Sequence, residues 1–196
     1  MVAVQVLAPG TARFVETPKP EMKEGFALVR PRLLSLCGSD MFNLHYAPPD
    51  QYPMPPGSTG HEVVATVESV DGAGTEIKEG MTALVLNPAS TGMAEYFLTP
   101  LDYIIPIPES QISQEEFVQA QQLGTVLYAA KFLSTNVLGR TVAIVGQGSA
   151  GLYWAWMLRR LGARRVVAID QLAHRLVLPR RYGATDLIDS SQDDPV

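Results

Sequence analysis

The first half of the chain alternates short apolar-rich runs with glycine and proline. The runs cover 3–7, 26–34, 62–70, 82–87, 93–98 and 103–107. Runs of this length between turn residues predict β-strands, and their spacing predicts one β domain. The segment 47–57, Ala-Pro-Pro-Asp-Gln-Tyr-Pro-Met-Pro-Pro-Gly, reads as a loop that is exposed or lines a site, because proline removes backbone donors and restricts the residue before it. The pattern changes at Ser113-Gln114-Glu115-Glu116. Ser113 and Glu116 can satisfy each other's free backbone donors, and Ile112 and Phe117 stand where a hydrophobic staple would, so a helix starts there. A second helical stretch over about 125–133 leads to a domain junction near 136–139. Beyond it the apolar runs 141–145 and 165–169 read as buried parallel strands, 149–161 as a helix closed by Gly162, 172–182 as a further helix and 186–188 as a third strand.

Composition narrows the class. With 196 residues, 46% hydrophobic and 18% charged, the chain can bury a core of its own. Fifteen Lys and Arg against 20 Asp and Glu leave a net charge of −5, with the cations scattered, so nucleic acid is not an expected partner. One cysteine, Cys37, rules out an intrachain disulfide and a four-cysteine zinc knot, in keeping with a reducing compartment. The first ten residues lack the basic start and apolar run of a signal peptide, and no run approaches the ~20 apolar residues of a membrane span. The expectation is a cytoplasmic protein without membrane contact.

Between the strand at 141–145 and its helix lies Gly146-Gln147-Gly148-Ser149-Ala150-Gly151, a full G-x-G-x-x-G. In that context the first glycine makes a tight turn, the second lets the backbone approach a pyrophosphate, and the third lets helix and strand pack closely. The phosphate charge would meet the helix N-terminus. Asp170, closing the next strand, can accept from both ribose hydroxyls and would repel a 2′-phosphate, which favours NAD over NADP; Arg164 and Arg165 weigh slightly the other way. A glycine turn in an ordinary α/β unit, followed by a solvated aspartate, is the bland alternative.

Two small clusters remain in the β domain, Cys37-Gly38-Ser39-Asp40 and Gly60-His61-Glu62. A lone cysteine is often core and a lone histidine usually surface. Together, in this order, and followed by the glycine-rich motif, they resemble the zinc-dependent medium-chain dehydrogenases, the alcohol and polyol dehydrogenase family. The resemblance also takes in Gly92-Met93-Ala94-Glu95-Tyr96 and the run 175–184. It implies an α/β plus β architecture: a GroES-like β-barrel catalytic domain with connecting helices over 1–136, then a partial βαβαβ Rossmann domain over 137–196, with one catalytic zinc in the cleft between them.

The resemblance further implies Cys37 and His61 as zinc ligands, Glu62 as the acid beside the metal, Asp40 as the carboxylate orienting His61, and Ser39 as the hydroxyl that starts a proton relay. The remaining ligand position of the family is held here by Gln122, a weaker neutral donor for which Glu62 can compensate. Zinc would polarise the substrate oxygen while hydride passes between an alcohol or polyol, or its carbonyl product, and NAD held by Gly146, Gly148, Ser149, Ala150, Gly151 and Asp170. The family's structural-zinc lobe would fall between Pro88 and Gly92, where only Ala89-Ser90-Thr91 stands, so no structural zinc is expected. Phe42 occupies the position of a relay histidine found in some relatives, which leaves proton release to water or another route. Since only one βαβαβ half is present, the chain is expected to be truncated within the Rossmann domain, its full-length parent a homo-oligomer. Two alternatives stay open: a zinc-free, NADPH-dependent enone or quinone reductase of the same superfamily, and a catalytically inert fragment.

Overall fold

Strands form where β-branched and aliphatic residues alternate or run together, and a computed structural model describes them over residues 1–193. Residues 194–196, the end of the expected second domain, lie outside the described residues. The described chain divides into two compact units, Met1–Gln121 and Gln122 onward.

In the first unit, β1 (Val2–Ala8) pairs antiparallel with β2 (Thr11–Glu16). A five-stranded antiparallel sheet is built from β3 (Phe26–Ser35), β4 (Glu62–Asp71), β5 (Thr82–Leu86), β6 (Phe97–Pro100) and β7 (Ile104–Pro106), in the order β6-β3-β4-β5-β7. Between β3 and β4 lie the short helix α1 (Gly38–Met41) and a π-helical turn over Phe42–Tyr46. The central strand β4 is buried on both faces. Val63, Ala65 and Val67 join Val29, Val85 and Phe97 in the main core, while Val64 on the other face packs with Leu84 and Val118. Pro31 lies past the last β6 pairing, at Val29, where β3 has only β4 as a neighbour; that placement tolerates a residue without an N–H.

The helix α2 (Gln114–Ala130) begins at the expected box: Ser113 N–H donates to Glu116 Oε2 at 3.1 Å and Glu116 N–H to Ser113 Oγ at 3.3 Å. One continuous helix replaces the two expected stretches, with Gly124 tolerated in its interior. In the second unit β8 (Thr141–Val145), α3 (Ser149–Arg160), β9 (Arg165–Asp170) and β10 (Asp186–Asp189) form a parallel sheet ordered β10-β9-β8. Its core sets Ala155 and Leu158 of α3 against Ile144, Val166 and Ala168. Among the described residues no helix is long and apolar enough to cross a membrane.

Three further differences from the expected elements appear. The strand β2 was not anticipated, because its side chains are nearly all exposed, Phe14 included, and so carry no alternation to read. The run 93–98 pairs regularly only from Phe97; Ala94 makes a single bridge to Ala3. The helix expected over 172–182 is two 3-10 turns, Ala173–Val177 and Pro179–Tyr182, since Pro179 offers no N–H and its ring opposes helix continuing through it.

At the edge of the second sheet Arg165 Nη2 donates to Asp186 Oδ1 at 2.9 Å. The guanidinium, with the Thr185 hydroxyl, holds the Asp186 carboxyl down at about 2. Its folded value lies below the ordinary one, so its contribution to stability is present above about pH 4 and is lost as the pH falls through the folded value. The denaturation midpoints of wild type and Asp186→Asn should therefore differ at about pH 6 and converge towards about pH 2. A difference that persists unchanged in acid would rule out the charge as its source.

Candidate functional site

The register of the central hairpin creates the site in the first unit. Ser35 of β3 stands opposite Glu62 of β4, so the residues just past Ser35 and just before Glu62 emerge together at one end of the sheet. Those residues are Cys37 and His61. One donor atom from each of Cys37, His61 and Glu62 lies within 4.8 Å of the others, with Glu62 buried and the other two half-buried. A thiolate, an imidazole and a carboxylate at that separation suit a divalent zinc ion in kind and number.

Asp40 ties the cluster together. It is 1% exposed, and both carboxylate oxygens are engaged. Oδ2 accepts the Cys37 N–H at 2.8 Å; Oδ1 accepts the Gly60 N–H at 2.9 Å and the Thr59 hydroxyl at 2.6 Å, and lies 3.3 Å from His61 Nδ1. Burial alone would raise the Asp40 pKa, but the hydrogen bonds from Thr59, Gly60 and Cys37 and the neighbouring His61 outweigh it and leave the carboxyl below its ordinary 3.8. With Nδ1 facing this carboxylate, Nε2 is the imidazole nitrogen left for a metal. From the other side Gln121 Nε2 donates to the His61 carbonyl at 2.9 Å. Gly60 has a positive φ of 82°, and a Cβ there would stand 2.5 Å from Leu34 Cδ1.

A cleft of about 450 Å³ opens beside the cluster, lined by Ser39, Asp40, Phe42, Asn43, His61 and Ser90. The hydroxyl expected to act on substrate and the aromatic in the relay position thus share one wall. Tyr46 is largely exposed and does not line this cleft. Of the Pro-rich loop, Gln51, Met54 and Pro55 line a separate hollow of about 340 Å³. Sequence reasoning missed Thr59, Asn43, Ser90 and Gln121. Only Thr59, beside the Gly-His-Glu motif, offered a signal.

In the second unit the glycine-rich turn joins β8 to α3 as expected. Gly146 has φ 89° and donates its N–H to Ile169 O at 2.8 Å. A Cβ on Gly151 would fall 2.0 Å from Gly146 O, so the close packing of helix on turn requires glycine, while a Cβ on Gly148 would point into open space. Asp170, 6% exposed, accepts the Gln147 N–H on Oδ2 at 2.7 Å and the Leu172 N–H on Oδ1 at 2.9 Å. Burial opposes its ionisation, but these bonds and Arg175, 3.9 Å away, keep its pKa below the ordinary value. Asp170 thus fastens the turn to the end of β9, a role its position in sequence did not reveal. Gln122 Oε1 accepts a hydrogen bond from the Ser149 hydroxyl.

Residues 23–109 match the alcohol dehydrogenase GroES-like domain. The chain is similar to the L-threonine 3-dehydrogenase of Shewanella sp. (strain MR-7), 30% identical over 207 residues that cover 92% of this chain and 60% of that protein. It therefore spans about 60% of the length of the curated relatives it matches. Among solved structures, galactitol-1-phosphate dehydrogenase from Escherichia coli superposes with a TM-score of 0.81 at 22% identity, covering 99% of this chain and 62% of its own. An alcohol dehydrogenase from Thermus sp. ATN1 superposes at 0.79 and 24% identity, covering 100% of this chain and 65% of its own. Both likenesses concern the fold: a GroES-like sheet followed by a partial Rossmann-like sheet. Residues 23–109 thus carry the alcohol dehydrogenase GroES-like domain, and most of the chain is similar to dehydrogenases of which it spans about 60%.

Proposed function

We propose that this chain carries the metal-binding and dinucleotide-binding parts of a zinc-dependent dehydrogenase that transfers hydride between an alcohol or polyol, or its carbonyl product, and NAD. The observation that carries this reading is the Cys37, His61 and Glu62 donor cluster, with His61 turned by a buried Asp40. In this reading residues 1–136 form the catalytic domain and 137–196 the first half of the dinucleotide domain, in a cytoplasmic protein that is a homo-oligomer when full-length.

Cys37, His61 and Glu62 would hold one zinc, which when bound supplies Lewis-acid polarisation of the substrate oxygen. Gln122, engaged with Ser149, adds at most a neutral carboxamide oxygen, a weaker donor than a thiolate or carboxylate. Asp40 keeps His61 in one tautomer and one orientation. Ser39, on the wall of the cleft beside His61, would accept the proton of the substrate hydroxyl and pass it to water, since Phe42 cannot carry it further. In the second unit a Cβ on Gly148 would meet open space, and the N–H groups of Gly148, Ser149 and Ala150 at the start of α3 would bind a pyrophosphate. Asp170 accepts backbone N–H groups on both oxygens and would turn its remaining lone pairs to ribose hydroxyls. Its charge disfavours a 2′-phosphate. Arg175 beside it would favour NADP instead.

Freshly purified protein should contain about one zinc per chain by elemental mass spectrometry, and Cys37→Ala should contain almost none. Equal zinc in both would exclude Cys37 as a ligand. Because the sheet has its own apolar core, a chelator that strips the zinc should leave the far-ultraviolet circular dichroism unchanged. Unfolding on chelation would make the metal the organiser of the fold. In fluorescence titrations NADH should bind more tightly than NADPH, and Asp170→Asn should narrow that gap by about tenfold; an unchanged ratio would remove Asp170 from cofactor choice.

A further inference from the structure

Thr59 is a β-branched residue in a conformation such residues avoid. Its φ is 72°, the left-handed region, where a branched Cβ crowds the backbone. It is 1% exposed. Glycine or asparagine would fit this backbone with less strain, so a threonine here requires a specific use of its side chain. Its hydroxyl donates to Asp40 Oδ1 at 2.6 Å, the shortest contact that oxygen makes. The same oxygen faces His61 Nδ1, and Gly60 N–H, from the next residue, reaches it as well.

We propose that Thr59 is a positioning residue of the Cys37, His61 and Glu62 centre: its buried hydroxyl fixes the rotation of the Asp40 carboxylate and so aims His61 Nε2 at the metal. The proposal rests on the zinc-binding reading of that cluster. Two donors converge on Oδ1 from consecutive residues of one turn, while the Cys37 N–H holds Oδ2. A carboxylate held at both oxygens cannot swivel about its Cβ–Cγ bond, and the ring it orients is then held with it. With the hydroxyl removed, Oδ1 loses its shortest contact and keeps only the Gly60 N–H beside the imidazole, so the carboxylate that orients the ring is held less tightly.

The test uses the 196-residue chain in four forms: wild type, Thr59→Val, Thr59→Gly and Thr59→Ser. Valine keeps the branched shape without the hydroxyl. Glycine removes the hydroxyl and relieves the strained φ. Serine keeps the hydroxyl and loses only the methyl group. Zinc affinity is read by competition with a chromophoric chelator, and ligand geometry by the visible bands of bound cobalt(II). Both hydroxyl-free forms should bind zinc about tenfold more weakly, with shifted cobalt bands, and Thr59→Ser should match wild type in both. A folded Thr59→Val or Thr59→Gly with wild-type affinity and wild-type cobalt bands would overturn the proposal. So would the loss of folding in both hydroxyl-free forms while Thr59→Ser folds, because the hydroxyl would then serve the fold and not the metal. Wild type that binds neither metal would instead overturn the zinc-binding reading on which the proposal rests.

Discussion

A carboxylate cannot stay ionised inside a protein unless donors replace the water it has lost. At Asp40 that demand is met by two segments at once: the Cys37 N–H at the start of α1, and the run Thr59-Gly60-His61 with a hydroxyl, an N–H and the imidazole ring. Cys37 and His61 are both tied to this one arrangement. Cys37 and His61 come from opposite sides of a hairpin, and pairing between β3 and β4 brings their backbones near each other without aiming their side chains. For His61 the carboxylate supplies the aim. Removing a single donor from such a network leaves a buried charge short of a partner, at a cost of about 1–3 kcal/mol or more.

The second unit uses the same device for a different purpose. Asp170 is also a buried carboxylate below its ordinary pKa, and it too accepts backbone N–H groups from two segments, the glycine-rich turn and the chain leaving β9. In one unit the fixed carboxylate turns a ring; in the other it fixes the shape of a loop. At the end of β9 the negative charge of Asp170 therefore serves the protein's own loop geometry.

The elements legible in the sequence were those whose pattern reports their surroundings. β8 and β9, uniform apolar runs, are parallel strands at almost the expected bounds, and the Ser113 and Glu116 box marks the start of α2. What escaped had no such imprint: β2 is exposed along most of its length, and the chain after Leu172 carries apolar spacing that Pro179 cancels. For the site, the resemblance pointed to Cys37, His61 and Glu62, whose donor atoms the structure brings together, and the spacing pointed to the glycines of the β8–α3 turn. Neither the convergence of Thr59 on Asp40 nor the bond from Gln121 to the His61 carbonyl could be read, because each joins residues far apart in sequence.

The strand order around β4 bears on how quickly the cluster could let go of an ion. Glu62 opens the strand that is paired on both sides, by β3 and by β5, and whose residues from Val63 to Ala65 are fully covered. Cys37 leads into a helix of only four residues. Local opening is easiest where few paired and buried groups must be undone. Fluctuations would therefore free the sulfur before the carboxylate, and the residence time of a bound ion would be governed by the breathing of α1, while the strand behind it stayed closed.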